Sequence, residues 1–259
     1  ELVDSPEGLV LLPNRQSYRE SQWLVVFCDE CNLPTNDAYG TQTVITFLRQ
    51  LTEQGGYWNE DCKWVTLKRI QFVGACNPPT DPGRELMSNR FLRHAPVLLV
   101  DYPAEESLKQ IYRTFNHALL KLHPNLKAYV DPLNNAMVAF YLANSARFNA
   151  DMAPQYIYSP RELSRFTRAM YEAMAPLDSM LPEDLLRLWA HEAMRLFQDR
   201  LIDEADKQWV EELINKIGQE CFGMVEDHSQ VLQRPILYSN WIQKLYQSTE
   251  REVLRNFVK

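Results

Sequence analysis

Glycine is scarce in this chain, eight in 259 residues, and none of the eight precedes a lysine. A phosphate-cradling Gly-x-x-x-x-Gly-Lys-Ser/Thr loop therefore occurs nowhere in it. Cysteine is sparse too. Five, an odd number in a chain this long, argue against a disulfide framework and fit a reducing, cytosolic compartment. No apolar run approaches the roughly 20 residues of a membrane span, and the acidic start Glu1-Leu-Val-Asp4 has no signal-peptide character. Positive charge is in deficit: the net charge is -7, with Lys and Arg scattered, so there is no general attraction to nucleic acid and any anion site must be local. What remains, 46% hydrophobic and 24% charged, describes a globular chain with room for one large domain or two ordinary ones. The absence of an initial methionine and the helical pattern at Asn256-Phe-Val-Lys259 lead us to expect a piece of a longer protein.

The most informative stretch is Trp23-Leu-Val-Val-Phe-Cys-Asp-Glu30, an apolar run that stops on adjacent carboxylates. It reads as a strand buried on both faces of a parallel sheet, which places Asp29 and Glu30 in the crevice at its carboxyl end, where nucleotides bind in open α/β folds. Two neighbouring carboxylates repel unless a cation or a ligand proton intervenes, so the pair suggests Mg²⁺ held by one carboxylate and water activated by the other. This is the Walker B pattern; a strand ending in a solvated turn at Asn32 and Pro34 is the plainer alternative. Cys28 and Cys31 form a Cys-x-x-Cys spacing and Cys76 ends another strand, so a soft-metal site is conceivable. Alternation along a strand, however, turns Cys28 away from Asp29 and into the sheet.

Residues 39–54 have helical apolar spacing closed by Gly55-Gly56. Residues 57–68 read as a hairpin with a polar tip at 59–61. Ile70-Gln-Phe-Val-Gly-Ala-Cys76 is a second buried strand ending on Asn77 and a proline-rich loop, and Pro96-Val-Leu-Leu-Val-Asp-Tyr102 a third, which together imply a parallel sheet. From residue 104 the pattern becomes wholly helical, over 105–122, 132–148, 160–174, 182–201 and 203–217. Asp131-Pro132 and Ser159-Pro160 read as N-cap and first-turn pairs, and Ser159 with Glu162 as a capping box that fixes Arg161 in the first turn. Leu185, Leu188, Trp189, Ala193, Leu196 and Phe197 form a core stripe. His117 and His191 read as packing or surface residues. The fold class is α/β followed by all-α.

Asn77 stands at a strand end neighbouring Asp29 and Glu30, where a carboxamide can hold both the attacking water and a terminal phosphate; an Asx turn into Pro78 is the alternative. Arg90 and Arg93 sit in Ser88-Asn-Arg-Phe-Leu-Arg-His94, just before the third run, and could equally be a solvated pair. Taken together the set resembles the AAA+ ATPases, with Walker B at Asp29-Glu30, sensor I at Asn77 and an arginine-finger segment at Asn89-Arg90-Phe91. The helical half resembles the AAA+ lid, with Ser159-Pro-Arg-Glu-Leu-Ser-Arg165 as its sensor II helix. Phe27-Cys-Asp-Glu-Cys-Asn-Leu-Pro34, Tyr39-Gly-Thr-Gln42, Gly74-Ala-Cys-Asn-Pro-Pro-Thr-Asp-Pro-Gly-Arg84, Arg90-Phe-Leu-Arg-His94 and Arg234-Pro-Ile-Leu-Tyr-Ser-Asn240 are similar, in order, to the third AAA+ module of cytoplasmic dynein heavy chains.

The resemblance implies a partial P-loop NTPase large domain over 1–103, a helical lid over 104–246 and a connector over 247–259, with 1–22 as the tail of an insert hairpin and the phosphate-binding loop lying upstream. It implies ATP or ADP with Mg²⁺ as cofactors. Asp29 would help hold the metal through water, Glu30 would polarise the attacking water and Asn77 orient it, and Arg161 would contact phosphate from the lid. Arg90, with Arg93 as second choice, would reach a neighbouring module's nucleotide. The implied protein is a microtubule motor ATPase of the cytoplasm and cytoskeleton in which this module regulates rather than drives. Its partners would be the other AAA+ modules, microtubules, accessory chains and regulators, without nucleic acid or membrane. The isolated piece would be inactive. Cys31 departs from an expected isoleucine, a modest change in apolar volume. The alternatives are a midasin or MoxR type of remodelling ATPase and a non-catalytic ring scaffold.

Overall fold

The computed structural model describes residues 2–5, 8–13, 22–242 and 244–259. It divides into two compact units, Glu1–Val100 and Asp101–Lys259.

In the first unit, β1 (Leu2–Ser5) and β2 (Gly8–Leu11) form an antiparallel hairpin within the span 1–22 expected as the tail of an insert hairpin, while 1, 6–7 and 14–21 lie outside the described residues. β3 (Leu24–Cys28) is followed by α1 (Thr43–Glu53), then by the hairpin of β4 (Gly56–Trp58) and β5 (Trp64–Leu67). Gly55, at φ +68, ends α1 in the left-handed conformation that glycine adopts without strain. β5 pairs in parallel with β2, giving the order β1-β2-β5-β4, a linkage the sequence did not disclose. Phe47 of α1 meets Tyr57 of β4 edge-on, with centroids 6.0 Å apart.

β6 (Ile70–Gly74) pairs in parallel with β3, in register from Leu24 opposite Ile70 to Cys28 opposite Gly74, as the two apolar runs require. Two expectations fail here. Neither β3 nor β6 is buried on both faces: Val25 and Phe27, which share one face of β3, and Val73 of β6 are exposed, since among the described residues no layer packs over them. The run 96–102 forms no strand; Leu98 is 82% and Leu99 92% exposed, and no described backbone pairs with it. A strand is a property of a pair, and apolar character cannot supply the partner. A short helix, α2 (Asn89–Leu92), precedes that run.

The second unit is helical: α3 (Glu105–Leu120), α4 (Val130–Arg147), α5 (Pro160–Met174), α6 (Pro182–Ala193), α7 (Glu204–Cys221), α8 (His228–Val231) and α9 (Arg251–Val258), with a two-residue β7 (Tyr238–Ser239) and β8 (Gln247–Ser248) pairing before α9. No helix among the described residues is long and apolar enough to cross a membrane. α4 is the central helix, buried on every side through Leu133, Met137, Val138, Phe140 and Tyr141. It starts two residues before the expected point, because the 3₁₀ turn Pro124–Tyr129 runs straight into it. Asp131 is therefore not the N-cap; it lies in the first turn and pairs with Arg113 at 2.6 Å.

The expected helix over 182–201 divides into α6 and the π-helical turn Met194–Gln198. That wider turn carries Phe197 into the core stripe, where its ring meets Phe140 at 5.1 Å, Tyr158 at 5.5 Å and Phe166 at 6.3 Å. Gln198 then closes the corner, its amide donating to Lys207 O and Glu211 Oε1 at 3.0 Å each. α7 runs past its expected end to Cys221.

Candidate nucleotide site

β3 and β6 are parallel neighbours, so the acidic pair, directly after β3, and Asn77, in the loop after β6, both follow carboxyl ends on the same edge of the sheet. The loops beyond them are tied together: Cys31 N–H donates to Ala75 O at 3.0 Å, and the Asn32 side-chain amide to Asn77 O at 2.7 Å. Asn32 is almost wholly buried, so this bond is the scaffold of the site. Cys31 is buried as well. Its thiol donates to Cys28 O at 2.9 Å, Gly74 leaves room for its sulfur, and burial pushes its pKa up, which is the state of a packing residue.

Asp29 is exposed; its Oδ1 accepts the Glu30 N–H at 2.9 Å. Among the described residues its Oδ2 and the Asn77 carboxamide have no protein partner, leaving an anionic and a neutral oxygen presented at neighbouring strand ends. No cluster of three or more His, Cys, Asp or Glu that could hold a metal occurs among the described residues. One free carboxylate oxygen beside a carboxamide suits a hard cation that keeps most of its water and its phosphate ligands, which is the habit of Mg²⁺.

Glu30 adopts φ +57, a left-handed conformation that residues with a Cβ seldom take. Its carboxylate is held by Arg84, a contact the sequence does not disclose. The only signal was an arginine closing Asp81-Pro-Gly-Arg84; the contact depends on loops brought together by the sheet.

Arg90 lies in α2, whose first turn is capped by Ser88 Oγ accepting the Arg90 N–H at 3.2 Å. Its side chain is exposed and meets no carboxylate among the described residues. Arg93, in contrast, donates to Glu53 Oε1 at 2.7 Å at the end of α1, where Arg49 and His94 also converge on Glu53. Within the helical unit, Arg161 is exposed in the first turn of α5, its N–H donating to Ser159 Oγ at 3.3 Å. Ser159 is thus the expected cap, but there is no reciprocal capping box. Glu162 is buried and pairs with Arg200 at 3.2 Å and Arg165 at 3.4 Å, charged partners that outcompete a backbone N–H. His191 is a packing residue: burial lowers its pKa, and it bonds Ile236 O and the Tyr246 hydroxyl. His117 is exposed.

Residues 18–103 match the family described as "P-loop containing dynein motor region" and residues 115–207 the "Dynein heavy chain, ATPase lid domain". The chain is 56% identical over 259 residues to the cytoplasmic dynein heavy chain of Drosophila melanogaster, covering 100% of this chain and 6% of that one. It is 56% identical over 260 residues to that of Dictyostelium discoideum (100% and 5%) and 40% over 258 residues to that of Saccharomyces cerevisiae (99% and 6%). The chain thus spans about one-twentieth of the relatives it matches. With both units matched, in order, and the whole length aligned, the midasin and MoxR alternatives give way, and the chain belongs to the dynein heavy chain family.

Proposed function

We propose that this chain is the later part of the third AAA+ module of a cytoplasmic dynein heavy chain, and that the module binds ATP and hydrolyses it slowly to gate a microtubule motor. The observation that carries this reading is the exposed Asp29 oxygen and Asn77 carboxamide at adjacent parallel strand ends, with Glu30 beside them. In this reading 1–103 contributes half of an α/β nucleotide-binding domain, 104–246 the lid and 247–259 a connector. The phosphate-binding loop comes from elsewhere in the heavy chain.

Bound Mg²⁺ would neutralise phosphate charge. Asp29 would hold it through water, offering the oxygen that the Glu30 N–H leaves free. Asn77 can donate to a terminal phosphate oxygen and accept from a water at once, and its loop is locked by Asn32, so it orients with little motion. Glu30 would polarise that water as general base. Arg161, at the amino end of α5, would meet phosphate together with the first-turn N–H groups. Arg90 is better placed than Arg93 to serve a neighbouring module, because Arg93 is engaged by Glu53. The partners would be the neighbouring modules, microtubules and accessory chains, in the cytoplasm.

The test is Glu30→Gln in the complete heavy chain. The charge goes and the shape stays, so ATP should still bind while turnover at this module falls by at least a hundredfold, within the range of a lost general base, and motility falls with it. Unaltered velocity and unaltered turnover at this module would instead favour a static ring scaffold.

A further inference from the structure

Arg84 sits where the two strand-end loops are most firmly joined. Next to it, the Glu85 N–H donates to Asn32 O at 2.9 Å, and the Glu85 carboxylate accepts from the Asn36 amide at 2.9 Å. Its own N–H donates to Asp81 O at 3.2 Å. The Arg84 side chain is only 12% exposed, whereas its partner Glu30 is 41% exposed. The cation is anchored and the carboxylate is half free. If the pair opens, Glu30 is the member that moves.

A glutamate engaged by a guanidinium is a poor base: Oε2 of Glu30 already accepts from Arg84, and the ion pair fixes the direction in which the carboxylate points. We propose that Arg84 is a positioning residue that parks Glu30 away from its water-polarising role, and that turnover at this site requires the Glu30–Arg84 pair to open. The proposal rests on the reading of Glu30 as the general base. It gives a physical reason for slow hydrolysis in a module that keeps its water-activating carboxylate. Asn77, fixed through its backbone, needs no such release.

Two measurements on the complete heavy chain test it. The first labels arginines with phenylglyoxal in the nucleotide-free state and reads Arg84 by mass spectrometry, with Arg90 as internal reference. Glu30→Ala should raise Arg84 labelling several-fold against Arg90; equal labelling in both proteins overturns the parking contact. The second measures single-turnover ATP hydrolysis with the heavy chain's other nucleotide sites silenced. Arg84→Gln should raise the rate about two- to fivefold, as expected for losing a partly exposed ion pair. Nucleotide affinity should stay within about twofold, and Arg84→Lys, which keeps the charge, should return the rate toward wild type. A slower Arg84→Gln protein, or a tenfold loss of affinity, overturns the proposal and makes Arg84 a phosphate ligand or a catalytic aid. No turnover in either protein, with the labelling difference intact, refutes the hydrolytic reading and with it any gating by Arg84.

Discussion

Arg200→Met should loosen the helix that presents Arg161 without touching Arg161 itself. Arg200 is a junction: it pairs with Glu162 at 3.2 Å, donates to Ile157 O at 2.9 Å and Leu196 O at 3.1 Å, and lies over the Tyr158 ring at 5.0 Å. Methionine keeps much of the apolar stem and removes the charge. Glu162 would then be a carboxylate 7% exposed, with only the long 3.4 Å contact to the outlying Arg165. Breaking one side of a buried pair costs about 3–5 kcal/mol, and a partly exposed Arg200 puts this case near the lower end. A loss of about 3 kcal/mol is about a hundredfold in the local opening equilibrium. Amide hydrogen exchange of α5 peptides should therefore accelerate about a hundredfold, with exchange in α1 unchanged. The double variant Glu162→Gln, Arg200→Met leaves no uncompensated charge and should recover more than half of the loss. Exchange within about threefold of wild type in the single variant, or losses that simply add in the double, would show that Glu162 is solvated and the ion pair immaterial.

Three further outcomes are expected. Burial holds His191 neutral in the folded state, so unfolding favours its protonation; stability should be complete above the ordinary histidine range and decline as pH falls below about 6.5, and His191→Gln should flatten that slope in urea melts. Arg161→Ala should leave the helical unit as stable or slightly more so, because a cation in the first turn opposes the helix dipole by about 0.3–1 kcal/mol, yet it should shrink the ATP-induced thermal shift of the complete module; an undiminished shift makes Arg161 an ordinary surface residue. The 259-residue chain alone, lacking a Gly-Lys loop, should bind ATP no tighter than about millimolar by calorimetry, about 4 kcal/mol, and tighter binding would point to a different pocket.

The helices were legible because each has a buried stripe and a marked beginning. Residues 160–174 are the clearest case: Ser159 caps, Pro160 follows, and Leu163, Phe166, Met170 and Met174 go inward. Legibility stopped where a residue's role depends on a distant competitor. Glu162 has the position of a capping-box acid, but Arg200 claims it. Asp131 has the form of an N-cap, yet the preceding turn extends the helix and Arg113 takes the carboxylate. At the candidate site, the run ending in Asp29-Glu30 and the one ending near Asn77 announced themselves, because apolar runs that stop on polar residues mark strand ends. Arg84 did not, since nothing local ties a loop arginine to a glutamate across two strands.

The uncovered run Val97–Val100 sets a requirement on the protein's life before it is folded. Four consecutive apolar, uncharged and exposed residues are the beginning of a segment from which cross-β stacking nucleates, which takes about six or seven. The chain brackets them with Pro96 on one side and Asp101 and Pro103 on the other, residues that interrupt strand-to-strand growth and add charge at its edge. Replacing those flanks would leave the folded contacts described above nearly untouched and would show instead in solubility and in the yield of refolding.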